Sequence, residues 1–190
     1  MSDDHVLRRS QASDAPAIHR IRAHPVTRRY QPLEQRSVED LRLILDERGH
    51  AEVTPWQNGK LEWTVVVNGD VAGWVTVSVT SRSHHIGTIG YSIAPRFQAR
   101  GIATRAVRDV AATALDPSGL ALERLEAVAA VENIASRRVL EKCGFAFEGI
   151  ARSYLIISGA RIDHARYARL HTDVQGDDRT RDDGAPHAHA

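Results

Sequence analysis

The segment FQARGIATRAV, beginning at Phe97, sets Gln98, Arg100, Gly101, Ala103 and Arg105 at the entrance to an apolar periodicity of helical spacing. Ile102, Ala106, Val107, Val110, Ala111, Ala114 and Leu115 form that stripe, which predicts a helix starting near Gly101. The first N–H groups of a helix have no intrahelical partner, and the helix dipole adds partial positive charge there. Such a turn can hold an anion on its backbone amides. Gly101 lets the backbone approach closely, Ala103 keeps bulk small, and Arg100 and Arg105 are placed for charge-assisted contacts to phosphate. No Gly-Lys-Ser/Thr of a Walker A motif follows, nor a dinucleotide fingerprint. On its own the segment also reads as an ordinary strand-to-helix turn.

A second constellation lies in NIASRRVLEKCGF, where Asn133 and Ser136 stand one helical turn apart. Both suit helix capping. Cys143, the chain's one cysteine, precedes the helix-ending Gly144 with no histidine close in sequence, which predicts a small buried residue rather than a nucleophile. One cysteine also excludes an internal disulfide.

Alternating helix and strand signals must position these residues. HVLRRS predicts a short strand, and SDAPAIHRIRA a helix capped by Ser13 or Asp14 with Ile18 and Ile21 inward. SVEDLRLILDERG predicts a helix with Ser37 and Asp40 as its N-terminal box, Leu41, Ile44 and Leu45 as its stripe, and Gly49 as its end. Two β-branched runs meet at Asn68–Gly69, the signature of a tight hairpin. IGTIGYSIAP predicts the next strand, with Ile89, Tyr91 and Ile93 on one side; LERLEAVAAV predicts another. FEGIARSYLIISGARIDHARYARL closes the order β-α-α-β-β-β-α-β-α-β-β with a strand pair around Ser158–Gly159. Of the three tryptophans, Trp63 and Trp74 fall in alternating strands and are expected to pack in the core.

The 190 residues, 42% hydrophobic and 26% charged, are those of one globular domain, expected over 1–172. Residues 173–190 hold almost no apolar side chain and are expected to be disordered, with His187 and His189 too weak a pair to predict a metal. A net charge of +1 gives no global case for nucleic acid, and no apolar run is long enough to span a membrane. The first residues lack the apolar core of a secretory signal, so a cytoplasmic location is expected.

The pair of motifs, at this separation, resembles the GNAT acyltransferases, whose pyrophosphate loop reads Gln/Arg-x-x-Gly-x-Gly/Ala. GYSIAPRFQARGIATRAV, ENIASRRVLEKCGFAFEG and GARIDHARYARL are similar to the branch that acetylates the N-termini of ribosomal proteins. The resemblance covers roughly Leu7 to Leu170. It implies an α/β (α+β) fold: a mixed, mostly antiparallel sheet, splayed between its fourth and fifth strands and flanked by helices. It implies acetyl-CoA as cosubstrate, with no metal. Backbone groups of Tyr91, Ser92 and Ile93 would pair with the pantetheine arm, and amides of Ala99, Arg100, Gly101, Ile102, Ala103 and Thr104 would cradle the pyrophosphate, with Gln98 shaping the turn. Asn133 would contact the arm near its thiol end, and Ser136 would protonate the leaving thiolate. A homodimer is the family's habit.

The chain departs from the pattern at the general base. Some members of the branch carry Glu where this chain has Pro95, and a Glu common elsewhere in the superfamily falls on Thr88. Neither residue takes a proton. A lysine amine is free to only about 0.04% at pH 7 and an α-amine to about 17%, so the loss weighs less on N-terminal acetylation. Glu126, His84, His85 or a water chain stay open as the base, each as well suited to a structural or solvated role. The expected activity is transfer of acetyl to a primary amine, a protein N-terminus foremost. A polyamine or antibiotic acetyltransferase, with Glu34, Glu52 or Glu62 in an acidic pocket, remains open, as do a larger acyl group and a module that binds acyl-CoA without turnover.

Overall fold

The computed structural model describes residues 5–176. They form one seven-stranded sheet in the order β1-β2-β3-β4-β5-β7-β6. The strands are β1 (His5–Arg9), β2 (Gly59–Val67), β3 (Asp70–Ser81), β4 (Ile86–Ile93), β5 (Arg124–Ala130), β6 (Ala146–Ile157) and β7 (Ala160–Leu170). The helices are α1 (Ala15–Ala23), α2 (Pro25–Arg28), α3 (Val38–His50), α4 (Ile102–Leu115), α5 (Ile134–Lys142) and α6 (His171–Gly176). All neighbours run antiparallel except β4 and β5, which the long α4 crossover makes parallel.

The tight turns follow from single residues. Asn68 and Gly69, at φ of 49° and 83°, close the β2–β3 hairpin, and Ser158 and Gly159, at 50° and 84°, close β6–β7. Ser37 and Asp40 exchange the two hydrogen bonds of a capping box at the start of α3. Gly49 differs from expectation, because α3 continues through it to His50. Its role is close approach: a Cβ there would lie 1.9 Å from the carbonyl oxygen of Ser10. The expected domain end at 172 falls inside α6, where the Asp173 carboxylate accepts from the Leu170 N–H at 2.8 Å. The remainder of the expected tail, His187 and His189 included, lies outside the described residues.

Alternation along the paired strands sorts the sheet into two faces. Leu61, Val65, Val75, Val77, Ile89 and Tyr91 share one, which α4 and α5 cover. The other is unusually polar: Glu62, Thr64, Trp74, Thr76, Thr88 and Ser92 stand on it, with α1 and α3 above. Trp63 and Trp74 are core residues, while Trp56 is exposed. The polar face is locked by Asp14, 3% exposed, whose carboxylate accepts both Arg8 guanidinium nitrogens at 2.6 and 2.8 Å and the Thr64 hydroxyl at 2.8 Å. Burial works against its ionisation, but these bonds and the Gln11 N–H hold the carboxyl below its usual range.

Candidate active site

β4 and β5 pair only from Ile86 to Thr88 against Arg124 to Glu126. Beyond that point β4 runs on to Ile93 paired with β3 only, and β5 to Ala130 paired with β7 only. The splay opens a cleft of about 460 Å³. Its floor is Tyr91, Ser92 and Ile93. On the open edge of β4 the Tyr91 carbonyl accepts from the Gln31 side-chain amide at 2.9 Å. An edge of this kind offers main-chain groups to any extended amide.

One wall is the loop into α4. After β4 the chain makes a short 3-10 turn over Pro95–Phe97, and the Gln98 amide donates back to the Ile93 carbonyl at 2.8 Å. Ala99 and Gly101 then take left-handed conformations, at φ of 59° and 74°. Glycine adopts this without strain; for Ala99 it costs on the order of 1 kcal/mol, a local strain that the surrounding turn holds in place. Gly101 is the N-cap and supplies no side chain, so the first-turn amides of α4 open into the cleft. Gln98, Ala99, Gly101, Ile102, Ala103 and Thr104 all line it. Arg100 does not: its guanidinium stands 5.8 Å from the Phe97 ring centre. Arg105 folds back along its own loop, its Nη1 within 3.5 Å of the Arg100 carbonyl.

α5 makes the opposite side. Asn133 is its N-cap, its side-chain oxygen accepting from the Ser136 N–H at 3.1 Å. Both residues line the cleft, so the capping role and a ligand-facing position coexist in Asn133. The Ser136 hydroxyl pairs with the Tyr91 hydroxyl at 2.8 Å, and Tyr91 also reaches the Ser136 carbonyl at 3.0 Å. Burial pushes the Tyr91 phenol well above its ordinary value, so it stays protonated at any physiological pH. The family resemblance implies a role for the Tyr91 backbone; its side chain as partner of Ser136 has no sequence signal.

Cys143 is buried, and its thiol donates to the Thr104 carbonyl at 3.3 Å, tying the end of α5 to the first turn of α4. Burial raises the thiol's pKa, the reverse of what a nucleophile needs.

The third wall comes from α2 and the segment after it: Val26, Thr27, Arg29, Tyr30 and Gln31 line the cleft. The sequence pattern marks none of these as site residues, because α2 spans one turn and leaves no periodicity to read. Thr27 is 5% exposed, and its hydroxyl has no hydrogen-bond partner among the described residues.

The open candidates for a base are dispersed. His84 and His85 occupy the β3–β4 turn, at the end of β4 away from the cleft, and His85 is bound to the Ala121 carbonyl at 3.0 Å. Glu126 pairs with Thr88 in register, its carboxylate held by Arg124 at 2.8 Å. Glu62, a candidate for an acidic acceptor pocket, is instead buried against Arg48 at 2.8 Å. Pro95 opens the 3-10 turn. Among the described residues no group of three or more His, Cys, Asp or Glu is placed to hold a metal, and no helix is long and apolar enough to cross a membrane.

A β4–β5 splay facing a helix N-terminus is the architecture of one acyltransferase superfamily, and the chain belongs to it: the acetyltransferase (GNAT) domain family matches residues 5–146. YdaF of Bacillus subtilis, named for ribosomal N-acetylation, is 32% identical over 117 residues, 62% of this chain. That stretch is 63% of YdaF, so the match spans under two thirds of this relative's length. The ribosomal-protein-S5-alanine acetyltransferase of Vibrio fischeri is similar over 96% of both chains, at 25% identity and a TM-score of 0.74. The spermidine N-acetyltransferase of Vibrio cholerae, crystallised with CoA and spermine, shares the fold over 90% of this chain and 98% of its own, at 22% identity and a TM-score of 0.75.

Proposed function

We propose that the protein transfers an acetyl group from acetyl-CoA to a primary amine, and that the amine is the α-amine of a protein N-terminus. The observation that carries this reading is the convergence on one cleft of a free β-strand edge, an uncapped helix N-terminus and the Ser136–Tyr91 hydroxyl pair.

The residues fit the cosubstrate. Gln31 already places an amide on the Tyr91 carbonyl, the position a pantetheine amide would take as an added strand. The first-turn amides from Ile102 to Thr104, uncapped by any side chain, suit a pyrophosphate. In the reaction the neutral amine attacks the thioester carbonyl carbon, the C–S bond breaks, and sulfur leaves as thiolate. Ser136 supplies a proton or hydrogen bond to that sulfur, its own hydroxyl oriented and resupplied by Tyr91. The nitrogen sheds its proton to solvent, since the side chains at Pro95 and Thr88 take none. An α-amine, already free in about one molecule in six near neutral pH, tolerates this far better than a lysine.

Support for a ribosomal-type acceptor comes from the similarity to YdaF and to the Vibrio fischeri enzyme. The test is thiol release from acetyl-CoA with a panel of N-terminal peptides, polyamines and aminoglycosides. Peptide-only turnover is expected. Turnover of polyamines alone would overturn the choice of acceptor, and tight CoA binding without turnover of any amine from pH 7 to 9 would overturn the enzymatic reading.

A further inference from the structure

The cleft passes between β4 and β5 and so has an exit on each face of the sheet. Tyr91, Ser136 and the α4 loop lie on the α4–α5 face, where the cosubstrate belongs in the reading above. Ser92 points to the other face, beneath α1 and α2. In that reading the acceptor enters from this second face, where two unrelated features are chemically incomplete.

The first is the Thr27 hydroxyl, in the cleft wall and without a partner among the described residues. A buried hydroxyl left unpaired costs on the order of 1–3 kcal/mol. The second is charge. Arg22, Arg36, Arg48 and Lys60 act on one another across this face, with only Glu34 and Glu62 among them. Arg36 pairs with Glu34 at 2.5 Å and Arg48 with Glu62 at 2.8 Å. Arg22 and Lys60 are left with no ion-pair partner among the described residues; Arg22 has the Glu34 carbonyl and lies over the Trp74 ring, 5.8 Å from its centre. Desolvation, then the neighbouring cations, lower the pKa values of both despite the pull of Glu62. A second cavity, of about 440 Å³, opens beside Arg22, Arg28, Glu34 and Arg36.

The two features are adjacent. Trp74 pairs in register with Ser92, which floors the cleft, so the ring beneath Arg22 belongs to the strand position next to the cleft floor. No Asp or Glu lines the cleft itself.

We propose that this face is an acceptor subsite for an amine that carries a carboxylate close by, namely a peptide N-terminus with acidic residues in its first positions. Arg22, assisted by Lys60, holds the carboxylate, and the Thr27 hydroxyl accepts a hydrogen bond from the attacking amine. A polyamine, with cations in place of the carboxylate, is repelled. The proposal rests on the acetyl-transfer reading but is tested separately from it.

Thiol release is measured at saturating acetyl-CoA with peptides that begin Ala-Asp-Glu, Ala-Ser-Ser or Ala-Lys-Arg, with free glutamate and with spermidine. The acidic peptide is expected to have a KM about tenfold below the neutral one, the worth of one charge-assisted hydrogen bond. Arg22→Gln should erase that preference by raising the KM of the acidic peptide about tenfold, to that of the neutral one, and Arg22→Lys should keep most of it. Thr27→Val should lower kcat/KM for every peptide, with Thr27→Ser restoring it. Equal KM values for acidic and basic peptides, or an Arg22→Gln loss shared by the neutral peptide, would overturn the proposal. Turnover of free glutamate above the acidic peptide would replace the peptide by an amino acid. Should no amine turn over, calorimetry of the N-acetylated acidic peptide on the CoA-loaded protein still decides: binding lost in Arg22→Gln supports the subsite, and no binding to the wild type overturns it.

Discussion

The two sides of the cleft are built on opposite principles. On the α4–α5 side the side chains already have hydrogen-bond partners: Gln98 the Ile93 carbonyl, Asn133 the Ser136 N–H, Cys143 the Thr104 carbonyl, and Ser136 the Tyr91 hydroxyl. What stays open there is main chain, which any pyrophosphate can use. On the α1–α2 side the main chain is closed by helices, and side chains are left incomplete: the Thr27 hydroxyl, and the Arg22 and Lys60 charges. A surface that binds one constant partner can be specified by backbone geometry. A surface that must choose among acceptors needs side chains whose partners arrive with the ligand, and such sites are less stable alone than they could be.

The largest effect that tests this contrast is on the first side. Ser136→Ala should lower kcat by about 100-fold, within the span of a lost general acid, with CoA affinity nearly unchanged. An equal loss of both would make Ser136 a cosubstrate contact or a cap. Next comes the anchor of the second side. Asp14→Asn leaves Arg8 without its carboxylate and should destabilise the fold by about 2 kcal/mol, less than for a fully buried pair because Arg8 is 33% exposed. The Asp14 pKa is depressed on folding, so its contribution is complete above the unfolded value and is lost as pH falls through the lower folded value. Acid unfolding below about pH 4 should therefore be flatter in Asp14→Asn than in the wild type. Denaturant melts from pH 2 to 7 measure both.

Gly101→Val sharpens the role of the backbone. A β-branched residue at φ of 74° should cost about 1–2 kcal/mol of stability and weaken CoA binding while sparing the acceptor KM. Unchanged CoA binding, read by calorimetry, would remove the α4 loop from the site. The smallest effect separates the two sides most cleanly. Thr27→Val, isosteric at an unpaired hydroxyl, should leave the apo protein as stable as the wild type or up to about 1 kcal/mol more stable. A clear loss in Tm would mean that the hydroxyl already has a partner and is structural.

The same division marks what could be read beforehand. The Asn68–Gly69 hairpin, the Ser37–Asp40 box, the α4 stripe and the Asn133 cap are local, set by residues within a turn of one another, and each appears in the structure where expected. Gly49 was misread as a helix end because the atom that demands a glycine there, the Ser10 carbonyl oxygen, is far away in sequence. Thr27 and Arg22 carried no signal at all. A threonine and an arginine in a short helical segment are ordinary until the fold shows that one lacks a hydrogen-bond partner and the other a counter-ion.

By itself, then, the sequence determined the order of the strands and of the longer helices, α2 and α6 excepted, and marked the turn into α4 as a candidate anion site, because these rest on backbone conformation and on residues close together in the chain. Only the tertiary structure decided that β4 and β5 part after Thr88, that the Tyr91 hydroxyl meets Ser136, and that Arg22 stands over Trp74 beside Ser92. The Tyr91–Ser136 and Arg22–Trp74 contacts join residues 45 and 52 positions apart, across strands and helices that fold side by side, and side-chain burial and pairing at such separations are properties of packing, with no counterpart in local pattern.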